Sequence, residues 1–169
     1  MAFLVRPSEQ YRESFTEAVK EFYAEEGEYH INLSEIQDHF SGFLQRIENW
    51  EKGIDLPEGY VPATVLWLVD DDEYIGRVSI RHRLTDELLR GGGHIGYDIR
   101  PTKRKRGYGT KILALSLPEA RRLGIKKALL TCDDDNTASA KIIEKNGGVM
   151  ENRADFHGKL KRRYWISLG

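Results

Sequence analysis

Residues 99–111 read Ile99-Arg100-Pro101-Thr102-Lys103-Arg104-Lys105-Arg106-Gly107-Tyr108-Gly109-Thr110-Lys111. A basic, glycine-punctuated loop runs straight into an apolar helical stretch. The first amides of a helix have no intrahelical acceptor, and the helix dipole adds partial positive charge at that end. A terminus of this kind holds a phosphate or a diphosphate. Gly107 and Gly109 lack Cβ atoms, so a ligand can approach the backbone closely. Arg104, Lys105 and Arg106 supply further charge. The setting decides the fold: an apolar strand, His94–Ile99, precedes the loop, and a helix over Lys111–Leu123, closed by Gly124, follows it. Pro118 lies inside that helix and is expected to kink or tighten it.

Outward from this segment the chain reads as alternating elements. Upstream, Phe3–Arg6 is a short strand ended by Pro7. Ser8 caps a helix with Tyr11, Phe15, Ala18, Val19 and Phe22 at helical spacing, ended by Gly27. Ser34 and Gln37 form a capping box for a second helix whose stripe is Ile36, Phe40, Phe43, Leu44, Ile47 and Trp50. Ala63–Val69 and Tyr74–Arg83 make a hairpin around the turn Asp70–Glu73, with Gly76 as a bulge or close approach. Thr85–Gly93 reads as a mobile loop ending in three glycines. Downstream, Ala128–Cys132 is a strand, a helix runs from Asn136 or Thr137 to about Asn146, and Val149–Asp155 and Leu160–Leu168 are final strands. The order is β-α-α-β-β-β-α-β-α-β-β, a mixed α/β chain with one crossover around Ile99–Cys132. At 169 residues it fits a single domain, 1–169.

Composition narrows the function. The net charge of -1 argues against a general nucleic-acid binder. The charge is nevertheless uneven. Met1–Tyr60 holds 13 acidic against 5 basic residues, whereas Arg100–Lys127 has 10 basic residues facing only Glu119. An anionic ligand would be drawn to the second region and a cationic one to the first, unless the acidic half is simply a pair of solvated helix faces. A single cysteine, Cys132, excludes an internal disulfide framework. The N-terminal MAFLVRPSEQ has no long apolar run, and no stretch matches a membrane helix, so a soluble cytoplasmic protein is expected.

Two phosphate-binding patterns fail on context. Gly91–Gly96 formally matches G-x-G-x-x-G but precedes a strand rather than opening a helix. Gly107–Lys111 lacks the spacing G-x-x-x-x-G-K-[ST]. What remains is Arg104-Lys105-Arg106-Gly107-Tyr108-Gly109, R-x-x-G-x-G between a strand and a helix. With this motif the chain resembles the GNAT superfamily of acyl-coenzyme A-dependent N-acetyltransferases, whose hallmark is [QR]-x-x-G-x-[GA]. The resemblance extends upstream to Gly96–Pro101, which looks like the family's fourth strand. It extends downstream to Asn136-Thr137-Ala138-Ser139 with Ile142, Lys145 and Gly147, which looks like its following helix.

The resemblance implies a mostly antiparallel sheet of about seven strands, splayed between the fourth and fifth, with about four helices around it. It implies acetyl-coenzyme A as acyl donor, with no metal. The pyrophosphate would rest on amides from Lys105 to Thr110, and backbone near Ile99 and Arg100 would pair with the pantetheine. Arg104, Lys105, Arg106, Gly107, Tyr108, Gly109, Thr110, Asn136, Ser139 and Lys145 complete that set of cofactor residues. Asn136 has an alternative reading as a plain helix cap. The family often places a tyrosine where this chain has Ile143, which leaves the general acid unassigned; Tyr164 and Tyr97 are substitutes by residue type. His94 is the general-base candidate, with a structural strand histidine as the alternative, and Asp98 shares its face of the strand.

The acceptor expected is a primary amine of a small molecule or peptide. If the acidic Glu21–Glu28 stretch and the Thr85–Gly93 loop line its pocket, it is cationic. A non-catalytic acyl-coenzyme A-binding domain is the competing reading. Nucleic acid and membrane are not expected partners, and the apolar Tyr164-Trp165-Ile166 is a candidate homodimer surface.

Overall fold

A computed structural model describes residues 1–169. The elements are β1 (Phe3–Val5), α1 (Arg12–Glu26), α2 (Leu33–Asp38), α3 (Phe40–Glu51), β2 (Ala63–Asp70), β3 (Glu73–Arg81), β4 (Ile95–Ile99), α4 (Tyr108–Arg122), β5 (Lys127–Asp133), α5 (Thr137–Lys145), β6 (Val149–Phe156) and β7 (Lys159–Ser167).

Antiparallel pairing joins β1-β2-β3-β4 into one sheet. Side chains alternate between its two faces. One face carries Leu66, Leu68, Val78, Ile80 and Ile95 into a core shared with Ile112, Leu113 and Ala120 of α4. The opposite face packs on α1–α3. There Phe15 stacks on Trp67 with ring centroids 4.3 Å apart, and Phe40 and Phe43 close the cluster. The expected close approach at Gly76 is present: a Cβ there would lie 2.4 Å from the Asp98 carbonyl oxygen. The register shifts between Leu68 and Val69, leaving Ile75 as the extra residue of the bulge.

The second sheet, β5-β7-β6, is also antiparallel. Its inner face, with Ala128, Leu130, Tyr164 and Ile166, packs under α4 and α5. The sheets meet at the foot of β4 and β5, where the His94 amide donates to the Leu129 carbonyl at 2.7 Å. Gly93, at φ +71, permits this contact, since a Cβ would fall 2.6 Å from the Leu129 oxygen. Above that point the strands part, so the expected splay is the boundary between two sheets.

Several local expectations change. The second helix is two helices, because the chain breaks at His39 (φ -138), and the cap of α2 is Asn32, which accepts from the Glu35 amide. Ser8 makes no capping bond; a short 3-10 turn at Glu9–Tyr11 leads into α1. The 85–93 segment is not a free loop. Its carbonyls are taken by side chains: Leu89 by Arg163, Gly91 by Thr131, and Gly92 and Gly93 by Arg81. Gly91 lies against the Phe156 ring, where any Cβ would clash. Of the proposed dimer stretch, Tyr164 and Ile166 point into the core, whereas Trp165 lies under the Lys127 ammonium, 5.4 Å from the ring centroid.

Candidate active site

Helix α4 begins at Tyr108, earlier than the apolar pattern indicates, with Gly107 at its N-cap in the left-handed region (φ +83). Lys105 is also left-handed (φ +61). These two residues turn the loop so that consecutive amides point outward. None of the backbone N–H groups from Lys105 to Thr110 donates to a protein acceptor; the first helical bond at this end is Lys111 to Gly107 oxygen at 3.1 Å. This is the arrangement of an anion cradle. The two glycines play different parts. Gly107 is required by its φ, whereas a Cβ on Gly109 would lie 2.6 Å from Ile142 Cδ1, so Gly109 lets α5 pack on α4.

The basic residues divide. Arg100 turns away: its amide bonds to Ile75 oxygen at 2.8 Å, and its guanidinium pairs with Glu21 at 2.7 Å. Arg104 pairs with Glu25 at 2.6 Å, covers the Phe22 ring and donates from Nε to the Ile99 carbonyl at 3.2 Å. Neither offers a free cation to the cradle. Lys105 and Arg106 are exposed and make no ion pair. Tyr108 donates to Asp70 at 2.8 Å, which fixes the loop against the β2–β3 turn. The Thr110 carbonyl accepts from Asn146 Nδ2 at 3.3 Å. Asn136 serves as the cap of α5, accepting from the Ser139 amide at 3.1 Å. Lys145 sits exposed in the last turn of α5 without an ion pair.

Beside the cradle lies the edge of β4 away from β3, open but for the Ile99 carbonyl, which accepts from Arg104 Nε. Because the Arg100 amide bonds toward β3, antiparallel alternation turns the main chain of Asp98 and Gly96 the same way and that of Tyr97 and Ile99 toward the splay. Tyr97 also sends its side chain to that side, near Ser139 and Cys132. Its buried hydroxyl has no hydrogen-bond partner. Burial pushes the Tyr97 phenol up to about 12, partly offset by Ser139 short of full hydrogen-bond geometry.

The three catalytic candidates separate. His94 is 7% exposed, and its Nδ1 accepts from the Leu129 amide at 2.9 Å. With its amide also bonded to Leu129, the residue is a clasp between the sheets. Burial, reinforced by Arg81, lowers its pKa. Tyr164 is buried beneath α5 and donates to Glu144 at 2.8 Å, one strand away from the splay. Asp98 projects from β4 into a cavity of about 670 Å³ lying between the first sheet, α3 and the 53–63 connection. Its Oδ2 accepts from the Tyr29 hydroxyl at 2.7 Å, whereas its buried Oδ1 has no partner.

His30 and Arg77, absent from the sequence-derived set, stand at the same cavity. The His30 Nε2 lies 3.0 Å from Arg77 Nη1. A guanidinium only donates, so Nε2 accepts and a neutral His30 carries its proton on Nδ1. Burial first, then Arg77, lowers the His30 pKa, opposed by Asp98. A signal for this site does exist in the sequence. Arg77, Ser79 and Arg81 alternate with Val78 and Ile80 on a strand covered by helices on both faces, and polar residues on such a face need a cavity. The acidic Glu21–Glu28 stretch divides: Glu21 and Glu25 hold Arg100 and Arg104, whereas Glu26 and Glu28 line an adjoining groove of about 540 Å³ that shares His30 and Asp98 with the cavity.

No helix is long and apolar enough to cross a membrane. No curated protein matches the sequence. Solved structures with the same fold include an acetyltransferase of Salmonella typhimurium that modifies the N-terminal serine of ribosomal protein L7/L12, with 17% identity over 98% of this chain and 94% of that one, at a TM-score of 0.67. They also include the microcin C7 self-immunity acetyltransferase MccE bound to acetyl-CoA and AMP, with 18% identity over 98% and 92%, at a TM-score of 0.68. A third is Mycobacterium smegmatis RimJ in complex with a CoA disulfide, with 14% identity over 98% and 81%, at a TM-score of 0.72. The family model described as the acetyltransferase (GNAT) domain matches residues 4–149, so the chain belongs to the GNAT acetyltransferase family.

Proposed function

We propose that this protein transfers an acetyl group from acetyl-coenzyme A to a primary amine bound in the cavity at Asp98. The observation that carries the donor assignment is the run of unpartnered amides from Lys105 to Thr110 beside the open edge of β4. Their spacing and charge suit a pyrophosphate, with Lys105 and Arg106 as free cations. The main chain of Tyr97 and Ile99 is the polar edge along which an extended pantetheine would lie, in the manner of an added strand. Coenzyme A seen in structures of the same fold supports this reading. The donor supplies an activated thioester when bound; the rest is alignment and proton management.

Neighbouring residues on β4 divide that work. Successive side chains of a strand point to opposite faces. Asp98 therefore faces the acceptor cavity while Tyr97 faces the splay. We assign Asp98, steadied by the Tyr29 hydroxyl, to hold the amine and receive its proton through the unpartnered Oδ1. Tyr97, protonated at neutral pH, is assigned as the proton donor to the departing sulfur. This places the acid one residue from the base, at neither Tyr164 nor Ile143. The cavity beside Asp98 favours an enzyme over a domain that only senses coenzyme A. A small amine or a peptide N-terminus is a fitting acceptor class, and the lone buried thiol of Cys132 suits a reducing, cytoplasmic setting.

Calorimetric titration with coenzyme A, joined to thiol release in the presence of an amine panel, tests the reading. Asp98→Asn and Tyr97→Phe are expected to lower kcat by about 10²- to 10⁴-fold while binding coenzyme A normally. No binding of coenzyme A would overturn the donor assignment; full activity in both variants would overturn the residue assignment.

A further inference from the structure

The acceptor cavity has more guanidinium than carboxylate. Arg46, Arg77 and Arg81 line it, against Asp98 and Glu87. Arg46 is already engaged, since it pairs with Glu35 at 2.5 Å and lies over Phe43 and Trp50. Glu87 is turned to His157. Asp98 takes its hydrogen bond from Tyr29, a neutral phenol. Neither Arg77 nor Arg81 makes an ion pair with any carboxylate of the chain. Arg77 bonds only to His30, and Arg81 only to the Gly92 and Gly93 carbonyls.

Both arginines rise from the same face of β3. Arg77 is the cross-strand partner of Asp98, so a cation and a carboxylate stand side by side on the floor of the cavity. Between Arg77 and Arg81 lies Ser79, opposite Gly96, where a Cβ would meet nothing within 4 Å. The floor is thus open and polar, with two guanidiniums that form no ion pair and a single carboxylate, Asp98, beside them. Burial, then Arg77, depresses the Arg81 pKa, as unpaired positive charge in a confined space should. The walls are apolar, formed by Phe43, Ile47, Trp50, Leu56 and Tyr60. A polyamine or an aminoglycoside would meet like charge here.

We propose that the acceptor carries its own anion, a carboxylate or a phosphate, in the same small molecule as the amine. The anion is gripped by Arg77, with Arg81 behind it, while the amine meets Asp98 and an apolar body lies against Trp50 and Tyr60. The proposal rests on reading this cavity as the acceptor site. It replaces the cationic acceptor expected from the acidic Glu21–Glu28 stretch, whose Glu21 and Glu25 carboxylates are consumed by Arg100 and Arg104.

The test uses amine-free probes, so it does not depend on finding the natural acceptor. Phenylacetate and phenyl phosphate are titrated into the protein saturated with coenzyme A, and tryptophan fluorescence is followed; phenethylamine is the cationic control. Saturable binding of at least one anion, and weaker binding of phenethylamine, is expected. Preference between the two probes tells carboxylate from phosphate. Arg77→Gln should weaken anion binding by about 10- to 100-fold, the loss of one charge-assisted contact. Gly96→Leu, which fills the floor where a Cβ meets nothing, should abolish it while coenzyme A still binds. Failure of both anions to bind wild type, or anion binding indifferent to Arg77→Gln and Gly96→Leu, overturns the proposal. Coenzyme A binding in the same titration shows separately whether the acetyltransferase reading stands. Matched amino acids and their amides in the thiol-release assay provide an independent check: equal turnover of acid and amide, or preference for spermidine, also overturns it.

Discussion

The imidazole of His94 stands where the backbone lacks an acceptor. At the point of splay the Leu129 amide has no strand carbonyl to meet, and Nδ1 fills that place. A histidine on a strand near a phosphate loop looks catalytic by residue type, yet its Nδ1 is committed to the main chain, which leaves the proton of the neutral ring on Nε2 and no free lone pair to act as a base. His94→Ala should cost about 1–3 kcal/mol, the cost of an unsatisfied buried donor, seen as a lower Tm. The pH profile of kcat should keep its shape. The residue should also show in stability. Its folded pKa is lowered, so in acid the unfolded chain binds protons that the folded chain resists. Stability contributed by His94 is therefore complete above about pH 6.5 and falls as the pH drops from there toward the folded value. His30 and His82, also lowered by burial, act in the same direction. Thermal melts in this range should show the decline, and His94→Ala should make it shallower; an unchanged slope would separate His94 from the effect.

Among the elements, α4 and α5 depend on a single missing methyl. Gly109 sits on the first turn of α4 with Ile142 Cδ1 in the space a Cβ would occupy. Gly109→Ala forces the end of the Ile142 side chain to shift and is expected to destabilise by about 1 kcal/mol, the overpacking being partly offset by alanine's better helix propensity. Ile142→Val deletes the very atom in conflict, so the double variant should recover most of the loss, a coupling readable in a double-mutant cycle from denaturant melts. Additive effects would mean that the two positions do not touch. The same logic clarifies the motif. The first glycine of R-x-x-G-x-G is required by its backbone angle, the second by its neighbour, and only together do they present the amides of α4. The motif's arginine, too, serves the scaffold, since Arg104 fastens the loop to α1.

Across the whole molecule, the uneven charge resolves into internal pairing. The acidic excess of α1 and the basic segment after β4 are bound to each other through Glu21 with Arg100 and Thr102, Glu25 with Arg104, and Glu73 with Lys103. Glu21 is the centre of this seam. Burial raises its pKa, but the bonds from Arg100 and Thr102 outweigh that and hold it below the usual carboxylate range. Glu21→Gln leaves the largely buried Arg100 guanidinium without its closest counter-ion and should cost about 1–3 kcal/mol. It should also weaken coenzyme A binding by loosening the loop, whereas replacing Glu26 and Glu28 with Gln should leave coenzyme A affinity unchanged. Isothermal titration of the variants checks both. Equal affinity in Glu21→Gln would mean that the cradle is rigid without its tie to α1.

The sequence by itself determined the order of the strands, the β2–β3 hairpin, the closure of α1 by Gly27 and the cradle after β4. Each of these is written in local terms: apolar periodicity, turn residues and glycines where φ is positive. Strand alternation also set Asp98 and Tyr97 on opposite faces of β4. Tertiary structure alone decided which charges are free. Arg100 and Arg104 are spent on α1, and Arg77 and Arg81 are left unpaired on a cavity floor, because pairing depends on residues far apart in the chain. It likewise decided that His94 is a clasp, that Tyr164 is buried under α5 and that Tyr97 faces the splay. A residue's chemistry is set by its type, but its availability is set by what packs against it, and that is fixed only when the sheets and helices close on one another.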